Sequence, residues 1–223
     1  MNAVTFATVL RSGGIYTPAY VDALRVGLSI WAPKTSRFVV LTDVPEVGPY
    51  AIPLERPELL GWWAKLELFR PGVFDGPVVY LDLDSLPVGP LDDLAELAAH
   101  GVRSCLADFY QPTRMIGSGV LTFTPDAETR AFYEQAIDSA RPRGGRADYV
   151  MRILFGESVR LQEALPGQMV SLKPLRGPDP KKVGAPPGAR IVCGHGRPRL
   201  HEPAAGWGFD LWRARSQHER RTR

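Results

Sequence analysis

The sequence predicts an α/β fold, a single domain with a mostly parallel central sheet flanked by helices. Three observations carry that expectation. Apolar runs of strand length alternate with segments of helical periodicity through residue 100. A chain of 223 residues that is 44% hydrophobic can bury one sizeable core. Finally, the apolar run "VVYLDLDSLPV" (78–88) ends in two carboxylates, Asp82 and Asp84, at the strand end where open α/β sheets bind ligands.

The elements follow in order. "AVTFATVL" (3–10) reads as a buried strand and "RSGGIYTP" as the loop after it. Val21, Leu24, Leu28 and Trp31 recur at helical spacing until Pro33 stops the pattern. "RFVVLTD" (37–43) is the next strand, and a Pro-rich loop runs to residue 57. "ELLGWWAKLELF" (58–69) reads as a helix, "PVVYLDL" (77–83) as a strand opened by Pro77, and "PLDDLAELAAH" (90–100) as a helix with proline at its start. In the second half "SCLADF" and "GVLTF" read as strands, and "DAETRAFYEQAIDSA" and "DYVMRILF" as helices. "RGPDPKKVGAPPGAR" (176–190) reads as irregular surface chain, followed by a last strand "RIVC" and the stretch "GHGRPRLHE" (194–202). One domain is expected over 1–212, with a nucleotide-binding half to about residue 100 and an acceptor half beyond it.

The net charge of +3 is local. Residues 213–223 hold five arginines against Glu219, and without them 22 basic and 23 acidic residues remain. This stretch reads as a solvated basic tail, and the near-neutral body argues against specific nucleic-acid binding. No apolar run reaches the ~18 residues of a membrane span and no signal-type leader is seen, so a cytoplasmic protein is expected. Cys105 and Cys193 are far apart and lack metal-type spacing, which suits reduced thiols.

Residues two apart on a strand point the same way, so Asp82 and Asp84 would share a face if the strand continued. Two anions there repel unless water or a cation neutralises them. Hard oxygen ligands suit Mg²⁺ or Mn²⁺, particularly one that also carries diphosphate oxygens. The bland alternative is a pair of solvated turn residues.

"GWWAKLELF" followed by "PVVYLDLDSLPVGPLDDL" resembles the GT-A-fold glycosyltransferases, in particular the glycogenin-like family, which transfers sugar from a nucleotide-sugar with retention of configuration. The resemblance implies Mn²⁺ or Mg²⁺ held by Asp82 and Asp84 against the donor diphosphate, with Lys65 gripping donor oxygens. "TFATVLRSGGIY" is similar to the family's first strand and nucleotide loop, so Arg11 and Tyr16 would meet phosphate and base. "LADFY" and "IGSGVLTF" match the segments of the sugar pocket, bringing in Asp108, Ser118 and Gly119. "CGHGRPRLH" resembles the family's His-x-x-Gly-x-x-Lys-Pro-Trp stretch, with Gly196 on the glycine and Arg199 in place of the phosphate-binding lysine.

The sequence also departs from that pattern. Cys193 falls where the family has its ligand histidine, so His195 is the expected third metal ligand, a thiolate being too soft for Mg²⁺ or Mn²⁺. Gly117 stands where the family has a pocket asparagine. In "GGRADYVMRIL" the family's Asp-Gln pair falls on Arg146–Ala147, or its aspartate on Asp148. The resemblance thus implies transfer from a nucleotide-sugar, expected to be a UDP-sugar, to the hydroxyl of a glycan, protein or small molecule. Asp148 and Asp108 would orient acceptor or sugar. Two alternatives remain open. One is a non-catalytic nucleotide-sugar-binding protein on the same fold, and the other a haloacid-dehalogenase-like phosphatase with Asp82 as nucleophile.

Overall fold

The computed structural model describes residues 3–139, 147–173 and 184–218. Strands β1 (Thr5–Leu10), β2 (Arg37–Thr42), β3 (Ala51–Pro53) and β4 (Val78–Leu81) form the parallel part of a seven-stranded sheet, in the spatial order β3-β2-β1-β4. Beyond β4 the sheet continues through β7 (Ile116–Phe123) and β6 (Ser104–Ala107) to the short β8 (Val159–Arg160). β7 runs antiparallel to both β4 and β6. The alternating rhythm of the first hundred residues therefore marks the parallel half, and the less regular second half supplies the antiparallel edge.

A second, three-stranded sheet has the order β5-β10-β9, built from β5 (Ser85–Pro87), β10 (Ile191–Cys193) and β9 (Met169–Ser171). Its first strand follows β4 after three residues. The Ser85 N–H closes a turn onto the Asp82 carbonyl at 2.8 Å, and the chain leaves the large sheet there. Asp82 and Asp84 therefore sit in a corner between two sheets, not on one continuing strand.

Helix α1 (Pro18–Trp31) turns Tyr20, Val21, Ala23, Leu24, Gly27 and Leu28 into the core. Its apolar stripe has the predicted spacing, and Pro18 at its start suits a first turn whose N–H groups lack helical partners. Helices α2 (Asp92–Ala99), α3 (Ala127–Ser139), α4 (Ala147–Phe155) and the single turn α5 (Leu161–Ala164) complete the middle of the chain. One apolar cluster lies under α1 and α2. A second lies under residues 61–69, α3 and α4, so both faces of β4 are covered. Val78, Val79, Tyr80 and Leu81 are accordingly all buried.

Residues Gly61–Phe69, expected as an α-helix, form 3-10 turns. Ala64, Lys65, Leu66, Glu67, Leu68 and Phe69 are buried in succession, so the segment has no solvent stripe to be amphipathic about. Glu67 is enclosed because its carboxylate accepts the Glu55 N–H at 2.9 Å and the Arg56 N–H at 2.6 Å. Three residues per turn set Trp62 and Lys65 one above the other, with the ammonium 6.0 Å from the Trp62 ring centre.

The C-terminus differs from the expected solvated tail. A helix, α6 (Trp207–His218), crosses the 212/213 boundary and packs along α1. Arg215 is buried and donates from Nη1 to the Pro87 carbonyl at 2.7 Å. A Cβ at Gly27 of α1 would come within 2.7 Å of that nitrogen, so glycine leaves the guanidinium its room. Composition read these arginines as solvated because one buried cation cannot be told from its neighbours by charge alone. Residues 219–223 of that tail and 176–183 of the Gly/Pro-rich segment lie outside the described residues. No helix among the described residues is long and apolar enough to cross a membrane.

Arg215→Ala is expected to destabilise the protein by about 1.5–3 kcal/mol, the range for a hydrogen bond to a charged group. Urea unfolding monitored by tryptophan fluorescence measures it, and a loss indistinguishable from that of Arg213→Ala would refute the anchoring role.

Candidate active site

The end of β4 opens into two adjoining cavities. The larger, about 350 Å³, is lined by Asp82, Asp84, Asp108, Ser118, Gly119, Asp148, Cys193, His195 and Gly196, among others. The smaller, about 290 Å³, is lined by Val9, Arg11, Ile15, Tyr16 and Leu83. Trp62, Lys65, Asp82 and Arg199 belong to both walls and mark the junction. Every predicted site residue therefore lines one cleft. What each contributes differs from expectation in several cases.

Asp82 is paired internally. Lys65 Nζ lies 2.7 Å from its Oδ1 and 2.9 Å from its Oδ2, and the Tyr80 hydroxyl donates to Oδ1 at 2.5 Å. Burial raises the Asp82 pKa, with Asp84 adding to the rise and Lys65 opposing it. Lys65 also donates to Ser118 Oγ at 3.1 Å, so its ammonium is held between Asp82 and Ser118. At 7% exposure it is no surface lysine. What it supplies to the cleft is fixed positive charge. A Cβ at Gly119 would lie 3.4 Å from Asp82 Oδ2, in ordinary contact with the pair.

Asp84, 5% exposed, accepts the Tyr16 hydroxyl on Oδ2 at 2.6 Å, with Arg199 Nη1 3.8 Å from the same oxygen. Tyr16, expected to meet the base, instead holds this carboxylate. Burial, then the nearby Asp84 charge, pushes the Tyr16 hydroxyl far above its ordinary range and keeps it a proton donor. Arg199 Nη1 also donates to the Tyr16 oxygen at 3.3 Å. Among the described residues the rest of its guanidinium has no partner, which makes Arg199 the cation with donors to spare. Arg11, expected on phosphate, is committed: Nη1 pairs with Asp43 at 3.2 Å, Nη2 donates to the Pro57 carbonyl at 2.8 Å, and Nε is sealed in the protein. It builds the wall of the smaller cavity.

Across the larger cavity Ser118 donates to Asp148 Oδ1, so Asp82, Lys65, Ser118 and Asp148 form one chain of contacts. Asp148 stands in the first turn of α4, on the wall of the larger cavity; Arg146 lies outside the described residues. Asp108 lines the same cavity but also holds its own loop, accepting the Tyr110 and Gln111 N–H groups at 2.8 and 2.9 Å. Gly117 carries no amide, and packing explains why: a Cβ would stand 3.2 Å from that of Leu106 across the sheet.

The expected third metal ligand does not join the carboxylates. His195 Nε2 lies 2.8 Å from Ser171 Oγ, and its ring stacks on Phe109 at 5.3 Å. Cys193 is no substitute. Burial pushes its thiol up to about 12, and it sits in β10 with Sγ 3.6 Å from Ser85 Oγ. Among the described residues no three His, Cys, Asp or Glu side chains converge to hold a metal ion. A site with three protein ligands is therefore not formed among the described residues. The residues present do fit a hard divalent cation shared with a ligand, because Asp84 keeps one carboxylate oxygen, Oδ1, without a partner among the described residues.

Three contributors escape the sequence. Tyr80 is two residues before Asp82 and on the same strand face, so the period of two could have found it. Asp43 ends the strand beside β1, which pairs it with Arg11 across neighbouring C-terminal edges. Ser171, by contrast, carries no local signal.

No family model matches the chain, and no curated protein matches its sequence. Solved structures do match its fold. The apo structure of WbbM, a bifunctional glycosyltransferase, superposes with a TM-score of 0.70 at 10% identity, over 97% of this chain and 50% of that one. The apo form of the glycosyltransferase GlyE from Streptococcus pneumoniae TIGR4 gives 0.65 at 12% identity, over 99% and 64%. The galactosyltransferase LgtC, solved with donor and acceptor sugar analogues, gives 0.62 at 14% identity over 95% of each chain. The chain thus spans half the length of WbbM and 64% of GlyE. Its α/β fold is the GT-A-like fold of these glycosyltransferases.

Lys65→Met is expected to cost about 3–5 kcal/mol near pH 8, because it strands the Asp82 carboxylate. Asp82 then titrates even higher than now. A carboxyl whose folded pKa is raised favours the folded state at low pH and loses that contribution as pH rises through the folded value. The deficit of the variant should therefore shrink between pH 8 and pH 5 in urea unfolding, and an equal deficit at both would contradict the pairing.

Proposed function

We propose that the protein is a glycosyltransferase that moves a sugar from a nucleotide-sugar, a UDP-sugar by family resemblance, to an acceptor hydroxyl. The observation that carries this reading is the cleft at the end of β4. On a fold shared with glycosyltransferases, the acidic pair, Arg199 and the Ser118–Asp148 pair line adjoining cavities. The smaller cavity, walled by Val9, Ile15 and Leu83, suits a nucleoside, and the larger, richer in hydrogen-bonding groups, suits donor sugar and acceptor.

The diphosphate would cross the junction, where Arg199 has guanidinium donors to offer it and Lys65 adds a fixed charge. Asp84, with Asp82 beside it, would hold Mn²⁺ or Mg²⁺ against the diphosphate; when bound, such an ion neutralises the charge that grows on the leaving group. Asp148, oriented by Ser118, is the carboxylate best placed to align an acceptor hydroxyl. By resemblance to the glycogenin-like family the transfer would proceed with retention, and because no side chain among the described cleft residues reads as a nucleophile, the acceptor would approach from the leaving-group side. The LgtC complex contains an acceptor sugar analogue. The exposed Trp62 and Tyr110 rings beside the larger cavity would suit a saccharide acceptor here also.

A phosphatase with Asp82 as nucleophile has less support, because both oxygens of that carboxylate are already hydrogen-bonded. A nucleotide-sugar-binding protein without turnover is separated from the enzyme by product formation alone.

Incubation with a panel of UDP-sugars, Mn²⁺ and saccharide acceptors should release UDP and yield a glycosylated product. Arg199→Ala should weaken donor binding about tenfold or more, the loss of a charge-assisted hydrogen bond to phosphate, with the melting temperature little changed. Donor affinity unaltered in Arg199→Ala would refute the assigned diphosphate position, and binding without product across the panel would favour the non-catalytic reading.

A further inference from the structure

The two carboxylates at the end of β4 differ in what they have left to give. Asp82 has both oxygens engaged, Oδ1 by Lys65 at 2.7 Å and Tyr80 at 2.5 Å, and Oδ2 by Lys65 at 2.9 Å. Asp84 has one side engaged, Oδ2 by Tyr16 at 2.6 Å and by Arg199 at 3.8 Å. Its Oδ1 has no partner among the described residues. Nor is Oδ1 among the side-chain atoms sealed without a partner, and Asp84 lines the larger cavity.

A carboxylate at 5% exposure with an uncommitted oxygen leaves part of its desolvation cost unrecovered. A ligand that supplies positive charge at Oδ1 recovers it. Asp82 has no oxygen in that condition: a cation there would have to share the carboxylate with the Lys65 ammonium, 2.7 Å from Oδ1 and 2.9 Å from Oδ2, a like charge at short range. The two aspartates therefore stand on opposite sides of an energetic divide, although the sequence presents them as a matched pair.

We infer that the pair divides two tasks: Asp82 is the standing counter-ion of Lys65, and Asp84 alone supplies a protein oxygen to a divalent cation bound with the donor diphosphate. The inference rests on the proposed donor site. Its consequence is a cation that the protein cannot hold alone. A hard cation takes six or more oxygens, and with one carboxylate from the chain most must come from diphosphate and water. Cation and nucleotide then bind together, each strengthening the other by the same factor.

The test measures the dissociation constant of UDP by calorimetry, in EDTA and with saturating Mn²⁺, for the wild type, Asp82→Asn and Asp84→Asn, using GDP where UDP does not bind. The readout is the ratio of the two constants within each protein, so a change in nucleotide affinity unrelated to the cation cancels. Asp82→Asn should keep the wild-type ratio within about threefold, Asp84→Asn should bring it to about one, and Mn²⁺ without nucleotide should show no saturable binding. Should Asp82→Asn not fold, the double variant Asp82→Asn/Lys65→Met, which removes both charges, replaces it. A ratio lost equally in both variants overturns the division of tasks alone. A wild-type ratio of one overturns the cation seat itself, and failure of the wild type to bind either nucleotide overturns the donor-site reading together with this inference.

Discussion

The Lys65–Asp82 ion pair is the constraint around which the cleft is built. A carboxylate at the end of a fully buried strand is costly unless its charge is met at short range. Here the partner comes from the segment before β4, at the same junction. Satisfying it explains otherwise unrelated features. Residues 61–69 wind as 3-10 turns that carry Lys65 inward, Tyr80 turns its hydroxyl toward Oδ1, and Ser118 accepts from the same ammonium. The pair also orders the active region, because the chain from Lys65 through Ser118 ends on Asp148 on the far wall.

The same constraint bears on the architecture. β4 pairs with β7 through Leu81 and Val120, and the Asp82 N–H continues the ladder onto the Gly119 carbonyl at 2.8 Å. One residue of further pairing brings Asp82 beside the Gly–Ser–Gly segment of β7. Three residues later the chain is in the second sheet, whose middle strand, β10, leads directly into the loop bearing His195 and Arg199. The corner between the sheets thus gathers residues from four separate stretches of sequence. A carboxylate-rich turn is stable there because Lys65 and Arg199 bring its carboxylates positive charge and Tyr80 and Tyr16 bring them hydroxyl donors.

Most of the fold is legible in the sequence because it rests on periodicity. The stripe of Val21, Leu24 and Leu28, the uninterrupted "VVYL" and the strands β1, β2 and β4 all follow from burial on one or both faces, whereas the exposed edge strand β3 lies within what reads as a Pro-rich loop. Residues 61–69 are misread for the same reason: burial all round leaves no period to distinguish an α-helix from tighter turns. The site is legible in membership but not in assignment. All twelve candidate residues line the cleft, yet Arg11 is spent on Asp43, Lys65 on Asp82 and Ser118, and His195 approaches Ser171. Those commitments are made between residues up to 53 positions apart in the case of Lys65 and Ser118, and no local pattern encodes them.

The C-terminal stretch holds a cation beside the carboxylates. Arg199 is the cation with donors to spare, and its backbone is fixed by neighbours on both sides. Its N–H donates to Glu202 Oε2 at 3.0 Å, Leu200 packs within reach of Gly194 and Gly208, and the Tyr20 hydroxyl meets His201 Nδ1 at 2.7 Å. Tyr20 belongs to α1, as does the Gly27 that leaves room for Arg215 of α6. Helices α1 and α6 therefore grip the loop from beneath, while Tyr16, just before α1, touches Arg199 and Asp84 from the cavity side. With the loop held by α1, α6 and its own turn, a histidine ligand is not needed to hold it over the carboxylates. Cys193 is accordingly an inert strand residue, its thiol raised by burial, and the positive charge that the loop presents to Asp84 is that of Arg199.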